Sequence, residues 1–183
     1  MNIQYLHASR FGNGATVAEH FKTVMAATGA TVDIHHIRDV RPDRLPPAHL
    51  YVFSSPGQWG KPIRKVRRFL ADVRLAAGTR YAILTTEIAP QPDKNTGRMP
   101  TEDEIAKAQR VRPIMNELLQ RGDLVNVAET KIYVTGIKGP LEDGWQDKVE
   151  AFATEVAHAL AAPEPDRAPG AAATPAASGT VQS

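Results

Sequence analysis

Apolar positions along this chain follow two alternating rhythms from the N-terminus to about residue 160. Residues 2–8, "NIQYLHA", form a short apolar run ending in a glycine-containing turn, the pattern of a buried strand. Residues 14–29 then place Val17, Phe21, Val24 and Met25 on one face of a helix that Gly29 terminates. Residues 31–37, "TVDIHHI", alternate as a strand with one partly polar face does. The proline-rich residues 38–49 read as a connection with little room for a full helix, and the unbroken "LYVFSS" at 50–55 as a strand covered on both faces.

The rhythms repeat in the second half. Residues 61–78 set Ile63, Val66, Phe69, Leu70 and Val73 on one helical face, and 79–88, "TRYAILTTEI", supply the next strand. The turn-rich loop 89–100 is long enough to suggest a role beyond connection. A helix over 101–122 opens with Thr101 and Glu104 in capping-box spacing, and Pro113 inside it predicts a kink or break at that point. Residues 124–136 give a fifth strand, bent or interrupted around Ala128 and Glu129. The last helix, 142–160, buries Trp145, Val149, Phe152, Val156 and Leu160. From residue 163 the chain is rich in Ala, Pro, Gly and Ser without apolar periodicity, so 163–183 is expected to be a disordered tail on a single domain, 1–162.

Five strands alternating with helices make an α/β doubly wound sandwich around a parallel sheet, with right-handed crossovers. Such five-stranded sheets commonly run in the order 2-1-3-4-5. The loops after the first and third strands then flank the switch point where these folds bind ligands.

Composition narrows the choices. The 183 residues include no cysteine, which excludes disulfides and thiolate chemistry and is compatible with a cytoplasmic location. No apolar run is long enough to span a bilayer, and the N-terminus lacks the basic and apolar regions of a secretory signal. A net charge of +2 gives no strong case for nucleic acid. Lys61, Arg64, Lys65, Arg67, Arg68 and Arg74 do cluster; they read as the solvated face of an amphipathic helix, with a binding patch as the other reading. His35 and His36 are adjacent on a strand, point to opposite faces and so do not chelate one metal; no metal site is expected. His7 ends the first strand as a core or rim histidine. No carboxylate pair ends that strand, no G-x-S-x-G elbow is present, and no catalytic side-chain set stands out.

The turn "HASRFGNGAT" carries the candidate chemistry. A helix N-terminus presents unpaired N–H groups and favours an anion, and Gly12 and Gly14 would let backbone approach a phosphate closely. Ser9 and Thr16 offer hydroxyls, and Asn13 an amide that can also cap the helix. A tight strand-to-helix turn without a ligand would use the same glycines. The P-loop and dinucleotide fingerprints are both absent.

This turn resembles the flavodoxin phosphate loop, Ser/Thr-x-Thr-Gly-x-Thr, read here as Ser9-Arg10-Phe11-Gly12-Asn13-Gly14 and followed by Val17-Ala18-Glu19. Ser9, Gly12 and Asn13 fit; Phe11 and Gly14 depart and remove two hydroxyls. The run "VFSSPGQWGKPIRKVRRFL" is similar to a second family segment through Ser55, Pro56, Gly60, Phe69 and Leu70, with Ser54 in place of a glycine. The resemblance covers residues 1–162 and implies the flavodoxin-like fold with FMN as cofactor. It places the phosphate on residues 9–14 and the flavin ring beside Ser55, Pro56, Gly57, Gln58, Trp59 and Gly60. Trp59 would stack on the ring, unless it packs on the adjacent helix. The backbone amides of Thr85, Thr86 and Glu87 would reach the ring edge.

Two functions are therefore expected. One is an FMN-binding redox protein, either an electron carrier with a redox partner protein or an FMN-dependent reductase of a small acceptor such as a quinone. The other is a flavodoxin-fold domain without flavin that acts as a binding or scaffold module.

Overall fold

The computed structural model describes residues 1–9, 11–136 and 138–162; Arg10, Ile137 and the expected tail at 163–183 lie outside the described residues. The five anticipated strands are β1 (Asn2–His7), β2 (Thr31–His36), β3 (Leu50–Gln58), β5 (Arg80–Ile88) and β6 (Val125–Val134), and a two-residue strand, β4 (Lys61–Pro62), is added between the third and fourth of them. All five long strands are parallel, in the order β2-β1-β3-β5-β6, which is the expected 2-1-3-4-5 arrangement.

Helices α1 (Asn13–Ala26) and α5 (Trp145–Ala161) cover one face of the sheet. Phe21 lies between Tyr5 and Phe152, with ring centroids 5.4 and 5.6 Å away, and joins the two helices to the sheet. Helices α2 (Arg64–Ala71) and α4 (Val111–Gln120) cover the other face through Val66, Phe69, Leu70, Val111, Met115 and Leu119. Residues 37–49 contain no helix. Val40, Leu45 and Ala48 nevertheless pack on that second core, and the Tyr51 hydroxyl donates to the Pro46 carbonyl at 2.8 Å.

Three expectations change. The helix expected over 61–78 is confined to Arg64–Ala71. At its start Lys61 and Pro62 turn back antiparallel on β3. At its end the Arg74 amide donates to the Pro42 carbonyl instead of continuing the helical ladder. The helix expected over 101–122 is two helices, α3 (Glu102–Ala108) and α4, and the break falls at Gln109–Arg110 rather than at Pro113. Tertiary bonds cause it: Gln109 Nε2 donates to the Ile88 carbonyl at 3.0 Å, and the Arg110 amide donates to the Gly60 carbonyl at 2.7 Å. Pro113 then sits in the first turn of α4, where its missing N–H leaves no bond unmade. In β6 the irregularity falls at Val127, which is skipped where Tyr81 and Ala82 pair with Asn126 and Ala128.

Thr101 and Glu104 do form the capping box that opens α3. Helix α1 ends at Ala26, with Gly29 at φ +78° just beyond it. Among the described residues no helix is long and apolar enough to cross a membrane.

Candidate functional site

The carboxyl ends of β1, β3 and β5 lie side by side, with His7 beside Ser54, Ser55 beside Thr85, and Pro56 beside Thr86. Three loops therefore leave the sheet at one edge, at the point where the chain switches from β1 outward to β3. Among the described residues, three of the six exposed large apolar side chains are on them, Phe11, Trp59 and Met99, and a fourth, Ile88, ends β5 beside them.

On the first loop, Gly12 precedes α1 at φ +92°, and a Cβ there would meet nothing within 4 Å. Ser9 Oγ accepts from the Gly12 amide at 3.1 Å, so this hydroxyl closes the turn. The helix has no side-chain N-cap and no acidic residue in its first turn, which leaves its positive end open to an anion. Gly14 is buried against Ser9, at an ordinary 3.4 Å from a would-be Cβ to Ser9 Cβ. Asn13 is turned away from the helix end: its Nδ2 donates to the Lys138 carbonyl at 3.3 Å. Arg10 lies outside the described residues.

The second loop is a hairpin. Gly57 and Gln58 of β3 pair with Pro62 and Lys61, and Trp59 and Gly60 form the tip with φ +52° and +69°. Positive φ at both central residues is what a two-residue hairpin favours for matching strand twist. Trp59 is 92% exposed, so the reading of it as packed on the adjacent helix is corrected. Ser55 is fully buried and its hydroxyl donates to the Pro56 carbonyl at 2.9 Å. Pro56, Gly57 and Gly60 are half-buried and Gln58 is exposed.

Ahead of the third loop, Thr85, Thr86 and Glu87 are buried in β5, within the strand expected over 79–88. Thr85 and Thr86 are paired with both β3 and β6 and Glu87 with β6 alone, so they belong to the sheet ladder instead of to an open loop edge. Thr85 Oγ1 donates to Glu87 Oε1 at 2.8 Å, while Glu87 Oε2 is buried without a partner. Burial pushes the Glu87 carboxyl above the usual range, against the Thr85 bond and the charges of Lys131 and Arg112. The loop beyond folds on itself. The Asp93 carboxylate accepts from the Asn95 and Thr96 amides, and the Arg98 guanidinium grips Glu104 through two bonds of 2.8 and 2.9 Å.

His7 is 8% exposed, meets His36 edge to face at 5.3 Å, and has its Nδ1 buried without a partner. Burial and then the neighbouring His36 and Arg38 lower its pKa, so it is neutral at pH 7. Among the described residues no group of three His, Asp or Glu side chains is placed to hold a metal ion.

The structure thus brings residues 9, 11–14 and 56–60 to one edge and withdraws Ser55, Thr85, Thr86 and Glu87 into the sheet. The run "GIKGPLEDGW", which resembles a segment found before the last helix in some flavodoxin-like proteins, sets the Lys138 carbonyl and Gly139 against Asn13. A Cβ on Gly139 would fall 2.9 Å from Asn13 Oδ1, and the Gly-x-x-Gly-Pro spacing was the available sign of a tight turn. A groove of about 340 Å3 between the ends of α2 and α4, lined by Leu70, Val73, Leu118 and Leu124, is at the opposite edge of the sheet.

No protein-family model matches the chain, and no curated protein does. Solved structures do. Oxidised flavodoxin 2 from Bacillus cereus superposes with a TM-score of 0.65 at 18% identity, covering 87% of this chain and 99% of that one. A flavodoxin from the domain Archaea gives 0.63 at 14% identity, over 88% and 100%. The rubredoxin oxygen:oxidoreductase of Desulfovibrio gigas gives 0.60 at 12% identity, over 87% of this chain and 36% of that larger one. With the parallel order β2-β1-β3-β5-β6 and helices on both faces, the chain has the flavodoxin-like fold.

Proposed function

We propose that the protein binds FMN at the carboxyl edge of its sheet and serves as a redox protein, either an electron carrier or a reductase of a small acceptor such as a quinone. The observation that carries this reading is the pairing of an uncapped, acid-free N-terminus on α1 with an exposed indole on the neighbouring hairpin. An FMN phosphate needs donors and positive potential; the ring needs a flat apolar partner.

The residues fit these needs in part. The first-turn amides of α1 and the open backbone at Gly12 would hold the phosphate, with Ser9 fixing the turn beneath. One face of Trp59 and the half-buried Pro56–Gly57 backbone would take the ring. When bound, FMN supplies electron-transfer chemistry that the side chains at this edge lack. The protein would hold the ring, while burial lowers the pKa of His7 at the end of β1 and keeps Glu87 below the surface.

A second reading has its own support. Asn13 is committed to the Lys138 carbonyl, and Phe11 and Gly14 have no hydroxyl, so of the resembled loop's hydroxyls only that of Ser9 is present. That favours a flavodoxin-fold binding or scaffold module without flavin. A visible absorption spectrum of the purified protein separates the two, with quenching of added FMN fluorescence as a second measurement. Flavin bands or micromolar quenching support the first reading; a colourless protein that leaves FMN fluorescence unchanged overturns it.

A further inference from the structure

Trp59 is held outward by its surroundings. Its hairpin is pinned from behind, where the Gly60 carbonyl accepts the Arg110 amide at 2.7 Å and a Cβ on Gly60 would fall 1.8 Å from the Ala108 carbonyl oxygen. The tip therefore cannot fold back to cover its indole without breaking the junction of α3 and α4. Neither burial nor backbone preference accounts for a tryptophan here, because the position is exposed and has a φ of +52° that large side chains avoid.

The charge beside it in sequence is of one sign, and the carboxylate that touches the hairpin, Glu87 against Gly57, is buried. From residue 44 through 71 the chain has no Asp or Glu. Lys61 follows the tip directly, and Arg64 and Lys65 begin α2 at the same edge, since α2 must run back down the sheet to where β5 starts. All three are exposed, and among the described residues none forms an ion pair. Helix α3 touches the hairpin with its C-terminal end, which leaves its acidic first turn about 9 Å farther away.

We propose that this edge docks on an anionic lipid surface, with Trp59 entering the headgroup layer and Lys61, Arg64 and Lys65 meeting lipid phosphates and carboxylates. An indole with an apolar body and one N–H donor suits the boundary between headgroups and acyl chains, and cations on an amphipathic helix are attracted to an anionic leaflet. A protein partner fits less well: the centres of protein interfaces are depleted in charge, whereas this tryptophan has three cations beside it. Nucleic acid fits less well too, because the chain is nearly neutral. The inference does not rest on FMN. Stacking a flavin would use one face of the indole and leave the other face and its edge outward.

The test uses the full chain, with and without FMN, and vesicles of phosphatidylcholine alone or mixed with phosphatidylserine. The protein should co-sediment with the mixed vesicles only, be released by salt, and show a blue shift of tryptophan emission that is lost in Trp59→Ala. Trp145, half-buried beside His20, supplies a constant background. Trp59→Ala should weaken binding by about tenfold or more, and Lys61→Glu with Arg64→Glu and Lys65→Glu should abolish it. Circular dichroism checks the fold, and the milder Arg64→Gln and Lys65→Gln pair replaces the reversal if folding suffers. Failure to sediment at low salt, or binding unchanged in the cation variants, overturns the proposal. So does binding to polyglutamate or single-stranded DNA in place of vesicles. Vesicle binding without FMN quenching removes only the flavin reading.

Discussion

Gly60 lies so close to Ala108 that a Cβ added to it would stand 1.8 Å from the Ala108 carbonyl oxygen. The contact is backbone against backbone, so no side-chain rotation relieves it, and the φ of +69° adds strain for any L-residue. Gly60→Ala is expected to destabilise the fold by roughly 2–4 kcal/mol, read as a shift in the urea midpoint. An unchanged midpoint would mean that the hairpin and the α3–α4 junction move apart freely.

Trp59 should behave in the opposite way. Asn tolerates positive φ far better than Trp, and Asn-Gly is the favoured pair for a two-residue hairpin tip. Trp59→Asn should therefore raise stability by up to about 1 kcal/mol, because almost no packing is lost from a side chain that is 92% exposed. A loss of stability would show that the indole serves the fold, and it would weaken both binding roles given to it.

Much of the architecture was legible because long-range order followed from local rhythm. Val17, Phe21 and Met25 mark the buried stripe of α1, and the runs at 50–53 and 81–84 mark central strands. What could not be read came from contacts distant in sequence. Gln109 breaks a helix because Ile88 and Gly60, far back in the chain, offer carbonyls to it and to Arg110. Asn13 is drawn from the helix end by Lys138, 125 residues away. Of the candidate site, the turn at 9–14 and the hairpin tip were visible as glycine-bearing punctuation. The strand holding Thr85–Glu87 was legible to its end at Ile88; what its own residues did not show is that β3 and β6 flank Thr85 and Thr86 on both sides and occupy that edge of the chain.

Glu87 makes stability depend on pH. Its carboxyl is 3% exposed and titrates above its ordinary value of 4.5, so the folded state holds the proton more tightly than the unfolded chain. Its contribution is full below 4.5 and is lost as pH rises through the folded value. Glu87→Gln keeps an acceptor for Thr85 Oγ1 and cannot ionise. The variant should gain on the wild type near neutral pH and show a flatter profile above pH 4.5. Parallel profiles for the two proteins in thermal denaturation would show that Glu87 does not set the slope.

Asn116 joins three elements through one amide. Its Oδ1 accepts from the Tyr81 hydroxyl and from Asn126 Nδ2, both at 2.7 Å, and its Nδ2 donates to Glu129. The bulge at Val127 lets Asn126 and Glu129 meet it, since Asn126 Nδ2 also reaches Glu129 Oε1 at 2.6 Å. Asn116→Ala leaves a buried hydroxyl and a half-buried carboxylate each short of a partner, at an expected cost of about 2–3 kcal/mol. The Tyr81 phenol, held up at about 12 by burial and the Glu129 charge, offers a spectroscopic check on whether the network opens.

Gly14 gives the most direct test of the phosphate reading. It lies in the first turn of α1, outside the positive-φ region, and a Cβ there would make only ordinary contact with Ser9. A side chain is thus sterically admissible, and Gly14→Ser returns a hydroxyl to the helix end beside the open amides. A hydroxyl bonded to a charged phosphate contributes about 1.5–3 kcal/mol, so FMN should bind roughly tenfold to a hundredfold more tightly. Riboflavin, which has the same ring and no phosphate, should gain nothing. If both ligands gain equally, the substitution acts on the ring or on the fold. If neither gains, the anion is not held at α1, and the flavin-free module becomes the better account of this edge.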